Sequence, residues 1–301
     1  MDLAYAGTHR FAALVLDHLV SSPTFTARHR VAGCVTTPDR PRGRRGTPQP
    51  SPLKESALAL GAPLLQPERL DAAFMGELTA WGVQALVACA YGRIVPLEVL
   101  ERLTSLVVHP SLVPRWRGAA PVERALMAGE TELGVAIMRM TPGVDEGPVA
   151  ATRTVHVPRD ADAGAAYELL AGPAAEALTV VLDGMSAQTV VWTAQAGEAT
   201  YAEKLGDEDR VIDWTRPATE IADQVRGLSP AIGAVTQLGG RRVLLWKTRP
   251  VAEPPSDTRK DRLVLATGAG WLEVLELQEA GKRRMTAPAY LRGAARRLAQ
   301  A

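Results

Sequence analysis

The chain has 301 residues, of which 47% are hydrophobic, enough for one large domain or two smaller ones. Its formal net charge of +1 excludes a global attraction to nucleic acid, so any such binding must use local basic patches. Cys34 and Cys89 lie in apolar runs, which does not suggest a disulfide framework and favours a reducing cytoplasm. The amino terminus lacks the pattern of a signal peptide, and no run of 18 apolar residues predicts a membrane span.

Strand and helix patterns alternate through the first part of the chain. Apolar runs predict strands at 3–6, 31–35, 63–66, 85–90, 106–108, 134–140 and 149–157, and helical spacing predicts helices at 11–19, 70–81, 118–127 and 161–182. Six or seven strands interleaved with helices indicate an α/β sandwich with a parallel-rich sheet rather than a barrel. Gly7 alone is not a dinucleotide fingerprint, so NAD binding is excluded.

A basic loop follows the second predicted strand, over residues 37–50. It contains Arg40, Arg42, Arg44 and Arg45 against one acidic residue, Asp39. The glycines and prolines of the loop argue against regular structure. A long basic loop is costly to order without a partner, and arginines fork onto phosphate, so a nucleic-acid backbone is the indicated partner. The alternative is a solvated surface loop.

The candidate acid/base residues follow strand ends. Tyr91 follows the run 85–90, His109 follows the run 106–108 into a Pro- and Gly-rich loop, and Asp145 lies near a later turn. Ligands of open parallel sheets bind beyond the carboxyl ends of the strands. His109 and Asp145 are therefore predicted to form an acid/base pair, the alternative being an ordinary buried loop histidine.

The pattern changes after Gly184. A polar segment over 195–209 indicates a linker, and short strands at 234–238, 242–246, 262–266 and 271–277, with a Gly239–Gly240 turn, predict a small barrel. We expect one domain over residues 1–190, a linker over 191–208 and a second domain over 209–301. The last 21 residues are basic, which suits RNA binding or a solvated tail.

One run is specific to a family. His109-Pro-Ser-Leu-Val-Pro-Arg-Trp-Arg-Gly-Ala-Ala-Pro121 resembles the HxSLLPRxRGAAP signature of the methionyl-tRNA formyltransferase family, and Asp145-Glu-Gly147 resembles its DxG motif. Further motifs of the family are resembled by four segments, which begin at Tyr5, Tyr91, Tyr201 and Gly281. The resemblance covers nearly the whole chain and implies a Rossmann-like formyltransferase domain followed by a small OB-like β-barrel domain.

The resemblance also implies an activity and a set of site residues. The activity is formyl transfer from 10-formyltetrahydrofolate to the amino group of methionyl initiator tRNA, for translation initiation, with no metal and no membrane or DNA partner. The implied catalytic residues are His109 and Asp145. The implied folate-binding residues are Tyr91, Gly92, Arg93, Ile94, Ser111, Leu112, Val113 and Pro114, and the implied tRNA-binding residues are Arg40, Arg42, Arg44, Arg45 and Lys204.

The chemistry is acyl transfer, which needs a neutral amine, a stabilised oxyanion and a protonated leaving nitrogen. Asp145 is expected to take or position the proton of the amine, directly or through water. His109 is expected to stabilise charge or shuttle a proton, with its tautomer set by a carboxylate neighbour. Cys89 is interpreted as a core residue.

The chain departs from the family at Val107, where the family has an Asn that donates to the oxyanion. Loss of such a donor costs roughly 100- to 1000-fold in turnover. The alternatives are a slow enzyme, a substitute donor from water or the backbone, lost activity, or an Asn displaced along the chain. Two other functions stay open: a formyltransferase of a small amine such as an amino sugar nucleotide, and a non-enzymatic folate- or tRNA-binding protein.

Overall fold

The computed structural model describes residues 1–42, 46–253 and 261–298. Arg44 and Arg45 lie outside these ranges, and of Arg42 only the backbone is described. The chain divides into two compact units. The first comprises Met1–Pro121, Leu133–Val155 and Tyr167–Ala202, and the second comprises Val122–Glu132, His156–Ala166 and Glu203–Ala301.

Strands and helices are interleaved up to Ala202, as the sequence pattern predicts. In chain order they are β1 Asp2–Gly7, α1 Arg10–Ser21, α2 Pro23–Thr26, β2 Arg30–Val35, β3 Arg40–Arg42, β4 Thr47–Gln49, α3 Pro52–Ala59, β5 Leu64–Leu65, α4 Ala72–Ala80, β6 Ala85–Cys89, α5 Leu97–Arg102, β7 Thr104–His109, β8 Arg117–Gly118, α6 Pro121–Met127, β9 Glu132–Arg139, β10 Val149–His156, α7 Ala163–Ser186 and β11 Tyr201–Ala202.

A seven-stranded sheet forms the first unit, in the order β10-β9-β7-β6-β1-β2-β5. The five strands from β7 to β5 run parallel to their neighbours, whereas β9 is antiparallel to β7. The central strands β1 and β6 consist almost entirely of buried apolar residues, as strands covered on both faces do. The prediction of an α/β fold with a parallel-rich sheet is confirmed.

The carboxyl ends of three central strands meet at one edge of this sheet. Gly7 at the end of β1 is in register with Cys89 at the end of β6, and Cys89 is in register with Val108 of β7. His109, the last residue of β7, therefore lies at the sheet edge where α/β proteins bind their ligands.

The basic loop contains regular structure, so the prediction of an irregular loop was wrong. Strands β3 and β4 form a two-stranded antiparallel hairpin in which Pro41 lies directly opposite Pro48. Opposed residues in an antiparallel pair alternate between bonded and non-bonded positions. Two facing prolines suit a non-bonded position, where neither residue has to donate an N–H, so the prolines do not exclude the hairpin.

Helix α7 is the one helix among the described residues that is long and apolar enough to cross a membrane. Of its most apolar window, 61% is buried within the protein. Length and composition of this kind are equally typical of a core helix, and its inward face supplies Leu170, Leu178 and Leu182 to the core.

The second unit is rich in β-structure. Its elements beyond Ala202 are α8 Ala218–Leu228, β12 Ala234–Leu238, β13 Arg241–Val251, β14 Leu263–Ala266, β15 Trp271–Glu279, β16 Met285–Thr286 and α9 Ala287–Leu298, with a short 3-10 helix at Glu208–Arg210. The antiparallel sheet has the order β12-β13-β15-β14, with β16 beside β15. Gly239 and Gly240 both have positive φ angles and form the predicted hairpin turn. The predicted basic tail is helical as far as Leu298.

Candidate active site

The structure brings the predicted catalytic pair together. The Nδ1 atom of His109 lies 3.5 Å from the Oδ2 atom of Asp145. Their side chains are only 6% and 13% exposed, respectively. A buried imidazole facing a buried carboxylate at the ligand-binding edge of a parallel sheet can exchange a proton with a substrate held between or beside them.

A backbone carbonyl orients the imidazole of His109. The Nε2 atom of the ring lies 2.9 Å from the carbonyl oxygen of Trp116. Because a carbonyl only accepts, Nε2 carries the hydrogen and donates it. The carboxylate neighbour expected from the sequence is Asp145, which faces the other ring nitrogen, Nδ1; that it sets the protonation of the ring stays a prediction.

Asp145 occupies a constrained turn between β9 and β10. Its φ angle is +52°, in the left-handed region that Asp visits more readily than most residues. The N–H of Gly118 donates to its Oδ2 atom at 2.9 Å. Two residues later, a Cβ on Gly147 would lie 1.8 Å from the carbonyl oxygen of Arg139, so only glycine fits there. The turn thus presents the carboxylate to His109 in a fixed position.

Two residues that bind this turn were missed by the sequence analysis. The Nε2 atom of Gln195 donates to the carbonyls of Asp145 and Gly147 at 2.8 and 2.9 Å. Its Oε1 atom accepts from Nη2 and Nε of Arg117 at 2.8 and 3.1 Å. Gln195 lies in a polar stretch without periodicity, so no pattern marks it. Arg117 is part of the motif at His109 but its side chain was given no role.

Val107 lies on the side of β7 that carries His109. The two residues are separated by one position, and alternate residues of a strand share a face. Val107 is half-buried and pairs with Ala88 of β6 and Met138 of β9. The alternative of an Asn displaced along the chain is wrong, because the 301 residues contain no asparagine. A side-chain amide of Asn cannot serve as an oxyanion donor in this protein.

The loop after β6 is tied to the loop after β1 through its carbonyl groups. The carbonyl of Ala90 accepts from the N–H of Thr8 at 3.1 Å, and that of Tyr91 accepts from the hydroxyl of Thr8 at 3.1 Å. The ring of Tyr91 is buried, and its hydroxyl has no hydrogen-bond partner among the described residues. Gly92 and Ile94 are exposed, Ile94 at 81%. A ligand can therefore reach this loop by its backbone and by the Ile94 side chain.

Arg93 is used within the protein. Its guanidinium donates to the carbonyls of Pro67 and Glu68, both at 2.6 Å. These bonds connect the loop after β6 to the segment after β5. The Arg93 side chain therefore stabilises the loop, and only the backbone of Arg93 is available to a ligand.

The residues after His109 form a tight turn. The hydroxyl of Ser111 donates to the carbonyl of Arg115 at 2.8 Å and lies 3.4 Å from the Trp116 carbonyl that His109 also binds. Leu112 packs so closely on Gly134 that a Cβ there would lie 2.5 Å from its side chain. Val113 and Pro114 complete the turn, and the Pro114 carbonyl accepts from the N–H of Thr200 at 3.1 Å. Ser111 thus closes the turn through the Arg115 carbonyl, next to the Trp116 carbonyl that orients the histidine.

Two of the predicted tRNA-binding residues have described side chains, one in each unit. Arg40 is exposed at the start of the β3–β4 hairpin in the first unit, and Lys204 is exposed in the second unit.

At the base of the hairpin, Nζ of Lys54 donates to Asp39 at 2.6 Å and to Gln66 at 2.8 Å, and Gln66 donates to Asp39 at 2.8 Å. Hydrogen bonds from Lys54 and then Gln66 hold the pKa of Asp39 below its usual range.

No cluster of His, Cys, Asp and Glu side chains that could hold a metal occurs within the described ranges. Cys34 and Cys89 are buried free thiols. Burial raises the pKa of each thiol to about 12, so neither is an activated nucleophile. This agrees with the interpretation of Cys89 as a core residue.

Two family models match almost the whole chain. One, described as formyl transferase, matches residues 3–182, and the other, described as the C-terminal domain of formyl transferase, matches residues 204–295. Together with the α/β fold and the His109–Asp145 pair, these matches define the class of the protein as a formyl transferase.

Relatives of similar sequence identify the family within the formyl transferases. A methionyl-tRNA formyltransferase of Phenylobacterium zucineum is 41% identical over 305 residues, which cover 98% of this chain and 97% of that protein. The chain belongs to the methionyl-tRNA formyltransferase family.

Solved structures share the fold. The methionyl-tRNA formyltransferase of Clostridium thermocellum matches with a TM-score of 0.57 at 14% identity, over 83% of this chain and 93% of that one. HypX of Aquifex aeolicus in complex with tetrahydrofolic acid matches with a TM-score of 0.66 at 18% identity, over 96% of this chain. This chain spans 46% of HypX, so the same fold also occurs within a longer protein.

Proposed function

We propose that this protein transfers the formyl group of 10-formyltetrahydrofolate to the free amino group of methionyl initiator tRNA. The observation that carries the proposal is the 41% identity, along nearly the full length, to a methionyl-tRNA formyltransferase. The buried pair of His109 and Asp145 at the sheet edge supplies the chemistry that such a transfer needs. The product is the formylated initiator used in translation.

Asp145 acts on the attacking amine. As the nitrogen forms its bond to the formyl carbon, it must lose a proton, and the Oδ2 carboxylate oxygen accepts that proton directly or through one water. The Gly118 N–H and the turn around Asp145 keep this oxygen in place. Positioning of this kind lowers the barrier because the acceptor does not have to be reoriented during the reaction.

His109 stabilises the negative charge that develops on the formyl oxygen and supplies the proton for the departing folate nitrogen. Its Nε2–H is committed to the Trp116 carbonyl, so Nδ1 is the ring atom that gains or releases a proton. When protonated, Nδ1 donates toward Asp145 and toward the oxygen that becomes negative in the transition state. When the carbon–nitrogen bond to the folate breaks, this proton passes to the departing nitrogen. Val107 adds no donor, so His109 has a larger share of the oxyanion stabilisation than it would beside an asparagine.

The donor binds beside this pair in our proposal. The loop from Tyr91 to Ile94, exposed at Gly92 and Ile94, follows β6, the strand next to β7, and the turn from Ser111 to Pro114 follows His109. Both segments lie at the carboxyl ends of neighbouring strands. The loop backbone and the apolar Ile94 side chain fit a flat heteroaromatic ring, which needs hydrogen bonds at its edge and apolar contact on its face.

The tRNA is bound by local basic groups, since the net charge is only +1. The arginines of one segment bind phosphates of the acceptor end of the tRNA: Arg40, Arg42, Arg44 and Arg45. Lys204 adds a further phosphate contact from another part of the chain. We propose a cytoplasmic location, in which the two free thiols stay reduced, and neither a membrane nor DNA as a partner.

Single-turnover formylation tests the proposal. Purified protein, 10-formyltetrahydrofolate and methionyl initiator tRNA should give formylmethionyl-tRNA, and His109→Ala should reduce the rate about 100- to 10,000-fold. Methionyl elongator tRNA and an amino sugar nucleotide serve as control acceptors. Preferential transfer to the sugar amine, or binding of both substrates without transfer, would overturn the proposal. An undiminished rate for Arg44→Ala at limiting tRNA would count against the arginine contacts.

A further inference from the structure

Gln195 uses its whole side-chain amide within the first unit. Its NH₂ group donates to two carbonyl oxygens of the Asp145 turn, and its oxygen accepts two N–H groups of Arg117. An amide has two donor hydrogens and one acceptor oxygen with two lone pairs, so all of its hydrogen-bonding capacity is used. The residue lies after α7, far in sequence from both partners.

The turn needs such support at Asp145. A positive φ is disfavoured for residues with a Cβ, and strained conformations persist where surrounding contacts determine them. The Gln195 bond to the Asp145 carbonyl fixes the peptide group that follows the catalytic residue. The bond to the Gly147 carbonyl fixes the turn two residues later. Together they resist relaxation of Asp145 toward a negative φ, which would swing its carboxylate.

Arg117 connects this support to the carboxylate itself. It precedes Gly118, whose N–H binds the Asp145 carboxylate at 2.9 Å. The backbone N–H of Arg117 donates to the Thr200 carbonyl at 2.9 Å, as part of the short β8–β11 pair. The side chain of Arg117 also lies 3.3 Å from Glu146. Asp145 is therefore held from one side through its carboxylate and from the other through its carbonyl.

We propose that Gln195, oriented by Arg117, is a positioning residue for catalysis. It touches neither substrate; it holds the backbone of Asp145 so that the carboxylate stays opposite Nδ1 of His109. The inference rests on the proposed function, because it concerns the same site. Gln195 itself is only partly buried, so water can replace its bonds when it is removed, and the protein should stay folded while the turn loosens.

Gln195→Leu is the main test. Misplacement of a catalytic group by about 1 Å costs on the order of 100-fold, so we expect the single-turnover rate constant to fall roughly 10- to 100-fold. The apparent KM values for the donor and for tRNA should change less than the rate constant, and the thermal unfolding midpoint should stay close to that of the wild type. Glu198→Gln is the matched control, since Glu198 is an exposed residue of the same segment. Its rate should equal that of the wild type.

A double-mutant cycle distinguishes positioning from general destabilisation. If Gln195 acts through Asp145, Gln195→Leu should slow the Asp145→Asn variant no further. Losses that multiply in the double variant would overturn the inference, as would a Gln195→Leu rate equal to that of the wild type. The pH profile adds a second readout: a displaced carboxylate should shift the pH dependence of the Gln195→Leu rate, whereas a purely structural defect lowers it evenly.

Gln195→Glu decides the matter if the leucine variant does not fold. This change keeps an acceptor for Arg117 but turns a carboxylate oxygen toward two carbonyl oxygens, which repel it. A folded and slow Gln195→Glu variant supports the inference, and a folded variant at the wild-type rate overturns it. Wild-type protein in the same assay separates the two proposals. If the wild type does not formylate methionyl initiator tRNA, the proposed function is refuted. If the wild type is active and the Gln195 variants are equally active, only the positioning role of Gln195 is refuted.

Discussion

Val107 is the position where one substitution should raise activity. Its side chain is half-buried on the same face of β7 as His109, so an amide placed there would lie on the face of the sheet that carries the histidine. Val107→Asn would restore a hydrogen-bond donor that this asparagine-free chain cannot otherwise supply from an Asn.

The expected gain follows from the value of one oxyanion donor. Removal of such a donor costs roughly 100- to 1000-fold, so an installed donor with imperfect geometry should gain about 10-fold and at most about 100-fold. Exchange of a β-branched residue for Asn in a strand costs about 1 kcal/mol of stability. The variant should therefore unfold a few degrees lower while it reacts faster.

The measurement is the single-turnover rate constant at saturating donor and tRNA, followed by the formation of formylmethionyl-tRNA. Val107→Leu is the apolar control and should not exceed the wild type. Val107→Asp has the shape of Asn but accepts only, and should be slower than the wild type. A folded Val107→Asn variant with an unchanged rate would refute the reasoning, because it would mean that water or a backbone N–H already fills the place of the donor.

Three further results are expected. Arg40→Ala should raise the KM for tRNA but not for the formyl donor and should lower the slope of log affinity against log salt by about 1, whereas Arg102→Ala, at an exposed position of α5, should leave both unchanged. The pKa of Asp39 is lowered in the folded state, so the stability from its contact with Lys54 is present above the unfolded pKa of about 4 and is lost as the pH falls through the folded pKa. The difference in unfolding midpoint between wild type and Asp39→Asn should therefore be constant at neutral pH and shrink in acid. A difference that grew in acid would contradict the lowered pKa. Cys34 and Cys89 should resist alkylation at pH 8 until the protein unfolds, since burial raises the pKa of both thiols to about 12, and rapid labelling of native protein would contradict that burial.

The elements that could be predicted from the sequence are those with a strong apolar pattern. The buried strands β1 and β6 read as continuous apolar runs, and the strand-end pattern together with the resemblance to the family supplied His109 and Asp145. The β3–β4 hairpin was missed because Pro41 and Pro48 were taken as breakers, although facing each other they cost no bond. Helix α9 was missed because the last 21 residues, with six cationic side chains and no acidic one, were read as a basic tail.

The supporting contacts of the site could not be predicted. The Trp116 carbonyl that orients His109 is a backbone group, and every residue has one, so no sequence feature marks it. Gln195 is remote in sequence from Asp145, and its role depends on where the chain returns after α7. Such contacts are determined by tertiary structure, whereas the patterns that a sequence displays are local.

The short pairing of β11 with β8 has a practical consequence for dissecting this protein. Tyr201 and Ala202 lie alongside Arg117 and Gly118, and the Ala202 carbonyl accepts the N–H groups of Ala119 and Ala120. A fragment ending at residue 190 would include every strand of the large sheet yet lack this returning segment, and with it Gln195. Any truncated version meant to retain chemistry should therefore extend at least through Ala202, and insertions between the two halves of the gene product are better placed beyond that residue than before it.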